Sequence, residues 1–156
     1  MLAPLKILVA EDELGDVLLL KRAFVKAGVR MPVHFARNGQ EVLDYLEGKT
    51  PFDDPVAYPL PDLLLLDLKL PGIDGFEVLT WLRAQPGLSP MCVVVLTTSD
   101  YPVDVNRAYA LGANAYLVKP QDPADLIRVV ERIDQFWHSI PATANPSPAS
   151  RISVAL

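Results

Sequence analysis

The chain has 156 residues, about half of them apolar, which suits one domain with a real core and is too apolar for a disordered chain. A net charge of −5 without a basic cluster argues against a nucleic-acid partner. No apolar run approaches the roughly 20 residues of a membrane span. Nothing at Met1-Leu2-Ala3-Pro4 reads as a signal peptide, and the single cysteine, Cys92, cannot form an internal disulfide. A cytoplasmic protein with no membrane partner is expected.

Leu5 to Ala10 reads as a short strand ending on Glu11-Asp12. In the following ELGDVLLLKRAFVKAG, Val17, Leu20, Phe24 and Ala27 recur at spacings of three and four, which predicts an amphipathic helix closed by Gly28. Val33 to Ala36 is a second strand, and Asn38 with Glu41 resembles a capping box for a helix through Leu46, ended by Gly48. Lys49 to Pro61 carries four prolines in thirteen residues and reads as a long irregular loop.

Then comes the most telling stretch, PDLLLLDLKLPGIDG. Four successive leucines, Leu63 to Leu66, suit a strand buried on both faces, as in a parallel sheet. The run stops at Asp67, and Pro71-Gly72 turns the chain. A helix starting near Asp74-Gly75 carries Phe76, Leu79 and Leu82 and stops before Pro86. Met91 to Leu96 is another buried strand, leading into Thr97-Thr98-Ser99-Asp100. Pro102 opens a helix reaching Leu111, closed by Gly112. Ala115 to Val118 is the fifth strand, ending in Lys119-Pro120, and Asp122-Pro123 opens a last helix to about His138.

Five strand–helix units without hairpin signals predict an α/β fold: a doubly wound, five-stranded parallel sheet with helices on both faces. The choice lies between the flavodoxin-like order 2-1-3-4-5 and a Rossmann-like half. The absence of both GxGxxG and GxxxxGK[ST] favours the flavodoxin-like order. Residues 1–139 then form the domain. The remaining 140–156 read as a Pro/Ala/Ser-rich tail, in which Ile152, Val154 and Leu156 offer an apolar grip on this molecule or a neighbour.

In such a sheet the carboxyl ends of all strands share one edge. Glu11, Asp12, Asp67, Thr97 and Lys119 would meet there. Each alone has an ordinary explanation as a cap or a solvated charge, but together they make a site. Three carboxylates beside one lysine call for a divalent cation, and an all-oxygen set suits Mg²⁺ better than zinc. His34 and His138 have no partner at ligand spacing and are read as ordinary histidines.

This constellation resembles the receiver domain of two-component response regulators, over residues 5 to about 138. The matching pieces are Glu11-Asp12, LLLLDLKLPGIDG around Asp67, VVVLTTS around Thr97 and AYLVKP around Lys119. The resemblance implies that Asp67 accepts a phosphoryl group from a partner sensor histidine kinase. It implies that Mg²⁺ is bound by Asp12, Asp67 and the backbone carbonyl of Lys69, with Glu11 acting through a metal-bound water. Lys119 and Thr97 would take phosphoryl oxygens. Tyr116 would swing inward as Thr97 moves, repacking the fourth helix, fifth strand and fifth helix. Taken from the residues alone, Tyr116 reads as a half-buried strand aromatic. A cis bond before Pro120 is also implied. Lys69 and Ser99, each two residues beyond a central site residue, would set the phosphoryl lifetime, and the bulk of Thr98 would hinder small phosphodonors.

Asp16 four residues after Asp12, the Pro-rich loop before the third strand and the double threonine together look like the stand-alone regulators of bacterial phytochrome-type kinases. That likeness implies a single-domain phosphorelay protein, a kinase partner of the bacteriophytochrome kind and a homodimer. The last helix fits a dimer, with Leu126, Val129, Val130, Ile133, Phe136 and Trp137 forming a wide apolar stripe; burial under the chain's own tail is the other reading. An Asp-nucleophile phosphatase is disfavoured because Lys69 stands where its acid/base aspartate belongs. A flavin binder lacks its phosphate loop, and a degenerate receiver acting by binding alone sits poorly with the full acid, Thr and Lys set. The expected protein is therefore not an enzyme.

Overall fold

In the computed structural model, which describes residues 6–29, 33–139 and the backbone of 152–153, every predicted strand and helix is present. The strands are β1 (Ile7–Ala10), β2 (Val33–Ala36), β3 (Leu63–Leu66), β4 (Cys92–Thr97), β5 (Ala115–Val118) and β6 (Ile152–Ser153). The helices are α1 (Leu14–Lys26), α2 (Gly39–Glu47), α3 (Gly75–Ala84), α4 (Pro102–Ala110) and α5 (Pro123–Ser139). All strand pairings are parallel, and the first five strands run in the order β2-β1-β3-β4-β5.

The sheet gains one strand over the expectation. β6 pairs with the outer edge of β5, with Ala115 opposite Ile152 and Tyr116 opposite Ser153. A two-residue strand inside a Pro/Ala/Ser-rich segment has no periodicity that a sequence reading could detect. Residues 140–151 and 154–156, including Val154 and Leu156, lie outside the described residues, as do 1–5.

Alternation explains the leucine run. Leu64 and Leu66 join the core under α2, α3 and α4, with Leu8, Val93, Val95 and Tyr116. Leu63 and Leu65 join the opposite core with Ile7, Val9, Val94 and the inner faces of α1 and α5. All four are at most 1% exposed, and burying each such side chain contributes about 1.5–3 kcal/mol.

The helix ends follow the chemistry expected of them. Asn38 accepts from the Glu41 amide at 2.8 Å, while the Glu41 carboxylate reaches back to the Arg37 amide at 2.9 Å. Asp74 caps α3 by accepting from the Glu77 amide at 2.9 Å. The Pro-rich loop is anchored by aromatics: Phe52 and Tyr58 pack on Tyr45 at centroid distances of 5.2 and 5.9 Å, and the Tyr45 hydroxyl donates to the Pro59 carbonyl.

Among the described residues only the Thr50–Pro51 peptide is cis, so the cis geometry expected before Pro120 is absent. The trans form is the lower-energy one, and Lys119 reaches its carboxylate partners with it. Most of the α5 stripe is used internally. Leu126, Val129, Val130 and Ile133 are buried in the chain's own core, and Phe136 and Trp137 pack against it. Among the described residues no helix is long and apolar enough to cross a membrane.

Candidate functional site

The carboxyl edge of the sheet gathers the predicted residues. Glu11 follows β1, with its amide bonded to the Ala36 carbonyl of β2. Asp67 follows β3 and is tied by its amide to the Ala10 carbonyl. Lys119 follows β5, and its amide donates to the Thr97 carbonyl at the end of β4 at 2.7 Å. These backbone bonds continue the ladders just past the strand ends, which fixes where each side chain starts.

Glu11, Asp12 and Asp67 each offer a carboxylate oxygen within 4.8 Å of the others, the first and last buried and Asp12 exposed. Such a set, open to solvent on the Asp12 side, can hold a hard divalent cation that keeps part of its water. Asp67 is 6% exposed: its Oδ1 accepts from the Lys69 amide at 3.1 Å and its Oδ2 from Lys119 Nζ at 2.9 Å. The Lys69 backbone is thus placed beside the Asp67 carboxylate, while its side chain is exposed.

Lys119 Nζ also pairs with Glu11 and with Asp16, the latter at 3.1 Å. Asp16 was not expected in the site. Its position in the first turn of α1, four residues after Asp12, was the available signal, and the fold turns that turn towards Lys119. Burial pushes the Glu11 carboxyl up to about 7, against the opposing pull of Lys119. The two carboxylates hold the Lys119 ammonium well above its ordinary range despite its own burial. Three acids crowded around one lysine are an electrostatic demand for more positive charge.

Thr97 Oγ1 is buried and, among the described residues, has no hydrogen-bond partner. A buried orphan hydroxyl costs about 1–3 kcal/mol and points to a group that arrives later. Tyr116 is more buried than a half-buried strand aromatic: it is 5% exposed, and its hydroxyl donates to the Ser99 carbonyl at 2.9 Å. The inward position of the anticipated exchange is therefore already filled. The Ser99 hydroxyl donates to Asp104 of α4 at 2.6 Å, a partner sequence reading did not name. Neither histidine joins the acid cluster: His34 lies against Tyr45 and Tyr58, and His138 against Asp134.

The family model described as the response regulator receiver domain matches residues 7–131. The probable methanogenesis regulatory protein FilR2 of Methanothrix harundinacea is 38% identical over 94% of this chain and 90% of its own length. Response regulator Rcp1 of Synechocystis is 35% identical over 86% of this chain and 89% of its own, and its Mn²⁺-bound crystal structure superposes with a TM-score of 0.77. The phosphorylated cyanobacterial phytochrome response regulator RcpA superposes with a TM-score of 0.80 at 36% identity, covering 88% of this chain and 96% of RcpA.

Proposed function

Because the chain belongs to the response regulator receiver domain family, and its relatives include phytochrome response regulators, we propose that it is a single-domain phosphorelay protein that accepts a phosphoryl group on Asp67. The observation that carries this reading is the buried Asp67 carboxylate held between Lys119 and the Glu11-Asp12 pair, with the Thr97 hydroxyl, unpartnered among the described residues, at the end of the neighbouring strand β4.

The donor is the phosphohistidine of a sensor kinase, of the phytochrome kind by likeness to RcpA. An Asp67 oxygen attacks phosphorus, and the bond to the histidine nitrogen breaks as the new P–O bond forms. Glu11, Asp12, Asp67 and the Lys69 carbonyl would hold Mg²⁺, which, when bound, neutralises charge shared by the acids and the phosphoryl oxygens. Lys119 exchanges its carboxylate partner on Asp67 for a phosphoryl oxygen, staying a point charge throughout. Thr97 donates to another oxygen and so loses its orphan status. Lys69 and Ser99 govern access of hydrolytic water.

The output is a changed protein surface around α4, β5 and α5, where Tyr101 and Val103 are exposed. The chain acts in the cytoplasm as a signalling module, not as an enzyme, with a second copy of itself as a partner on that surface. Phosphotransfer from an autophosphorylated histidine kinase tests the reading. Radiolabel should move to the chain in Mg²⁺ and stay on the kinase when Asp67→Asn is supplied; label that stays on the kinase with the wild-type chain would count against it. Light scattering of the phosphorylated chain should show a dimer mass.

A further inference from the structure

The loop from Asp67 to Asp74 carries both the acceptor carboxylate and the Lys69 backbone, yet two glycines outside it decide how closely it can lie. Gly75, the first residue of α3, donates its amide to the Leu68 carbonyl at 3.0 Å. A Cβ on Gly75 would overlap the Asp67 carbonyl oxygen and come within 2.6 Å of the Leu68 Cα. Gly39, the first residue of α2, does the same at the far end of the loop. A Cβ there would overlap the Ile73 carbonyl oxygen and stand 2.8 Å from the Ile73 Cβ and 2.9 Å from its carbonyl carbon. The nearest obstacle in each case is a backbone carbonyl oxygen, which cannot swing aside as the tip of a side chain can.

Neither glycine adopts a positive φ, so space rather than backbone conformation is what forbids a side chain. Gly39 belongs to none of the four stretches that mark the site and sits on a different helix. Asn38 fixes the start of that helix through its cap to Glu41, so α2 presents Gly39 to the loop at a set height.

We propose that Gly39 is a positioning residue for the phosphoacceptor loop: its bare Cα lets Ile73 close down on α2, and this contact fixes where Lys69 stands beside Asp67. The inference rests on reading Asp67 as the acceptor and the acids around it as a Mg²⁺ site. A methyl at 39 lifts Ile73, and the three residues between Ile73 and Lys69 transmit the lift to the Lys69 carbonyl. Groups that support a metal ligand from behind typically weigh tenfold to a hundredfold on affinity.

Calorimetric titration of the full chain with Mg²⁺ tests this, comparing wild type with Gly39→Ala, Ile73→Gly and Leu46→Ala. Alanine favours the helix over glycine, so Gly39→Ala brings the steric change without a propensity penalty. Ile73→Gly loosens the same contact instead of crowding it and keeps the test alive should Gly39→Ala fold poorly. Leu46→Ala weakens the α2 core from the end of the helix opposite Gly39. Gly39→Ala and Ile73→Gly should each bind Mg²⁺ roughly tenfold or more weakly, and Leu46→Ala should match wild type. Wild-type affinity in both loop variants, or an equal loss in Leu46→Ala, would overturn the positioning role alone. Absence of any Mg²⁺ heat from wild type would overturn the reading of the site, and the positioning role with it.

Discussion

Thr97 and Glu11 are two buried polar groups whose environments suit a later event better than the resting state. Replacing Thr97 with the near-isosteric valine removes a hydroxyl that has no partner among the described residues. Thr97→Val should therefore leave the unphosphorylated chain as stable as wild type or more stable by about 1 kcal/mol, read by urea unfolding, while the phosphorylation-dependent surface change is lost. Glu11, raised by burial to about 7, carries its proton below that pH. A cation must displace that proton, so Mg²⁺ affinity should climb as pH rises towards about 7 and level off above it. Calorimetry at about pH 6 and about pH 8 checks the sign, and a flat profile would show that Glu11 is already ionised. These two residues were legible in the sequence because strand ends in a parallel sheet converge. Asp16 was legible only as a spacing, since its contact with Lys119 depends on how α1 leaves β1.

At the scale of elements, the leucine and valine runs identified β3 and β4 because burial on both faces leaves a strand no polar side. Arg83 shows where that logic ends. On α3 it reads as the ordinary basic residue of a last turn, yet its guanidinium donates to the carbonyls of Ser89, Met91 and Gly112 and to the Asn114 side chain. Asn114 in turn accepts from the Val93 amide at 2.8 Å. One side chain thus ties the end of α3 to the starts of β4 and β5, a set of long-range contacts with no local pattern to betray it. Arg83→Met should destabilise the fold by roughly 3 kcal/mol, because several buried carbonyls lose their donor at once. Chemical denaturation would read the loss. The sixth strand escaped prediction for a related reason: its register is set by the edge of β5, not by its own two residues.

For the molecule as a whole, two cores pack on opposite faces of one sheet, and each holds a weak acid that burial keeps protonated. Cys92 rises from 9.0 and Tyr45 from 10.0, both to about 12. The folded chain therefore keeps both protons where the unfolded chain would release them. Stability should be unaffected below about pH 9 and fall steadily as pH climbs towards about 12, a trend thermal melts can follow. The cysteine thiol should resist alkylation in the native protein for the same reason.

The claim on which the account depends is that this arrangement exists to put one phosphoryl group on one aspartate. Intact-mass spectrometry after incubation with a cognate kinase or a small acyl-phosphate donor, with and without Mg²⁺, measures it directly. A single added phosphoryl group that requires Mg²⁺ and disappears in Asp67→Asn is expected. An unchanged mass with a competent kinase, or a modification that survives Asp67→Asn, would contradict it.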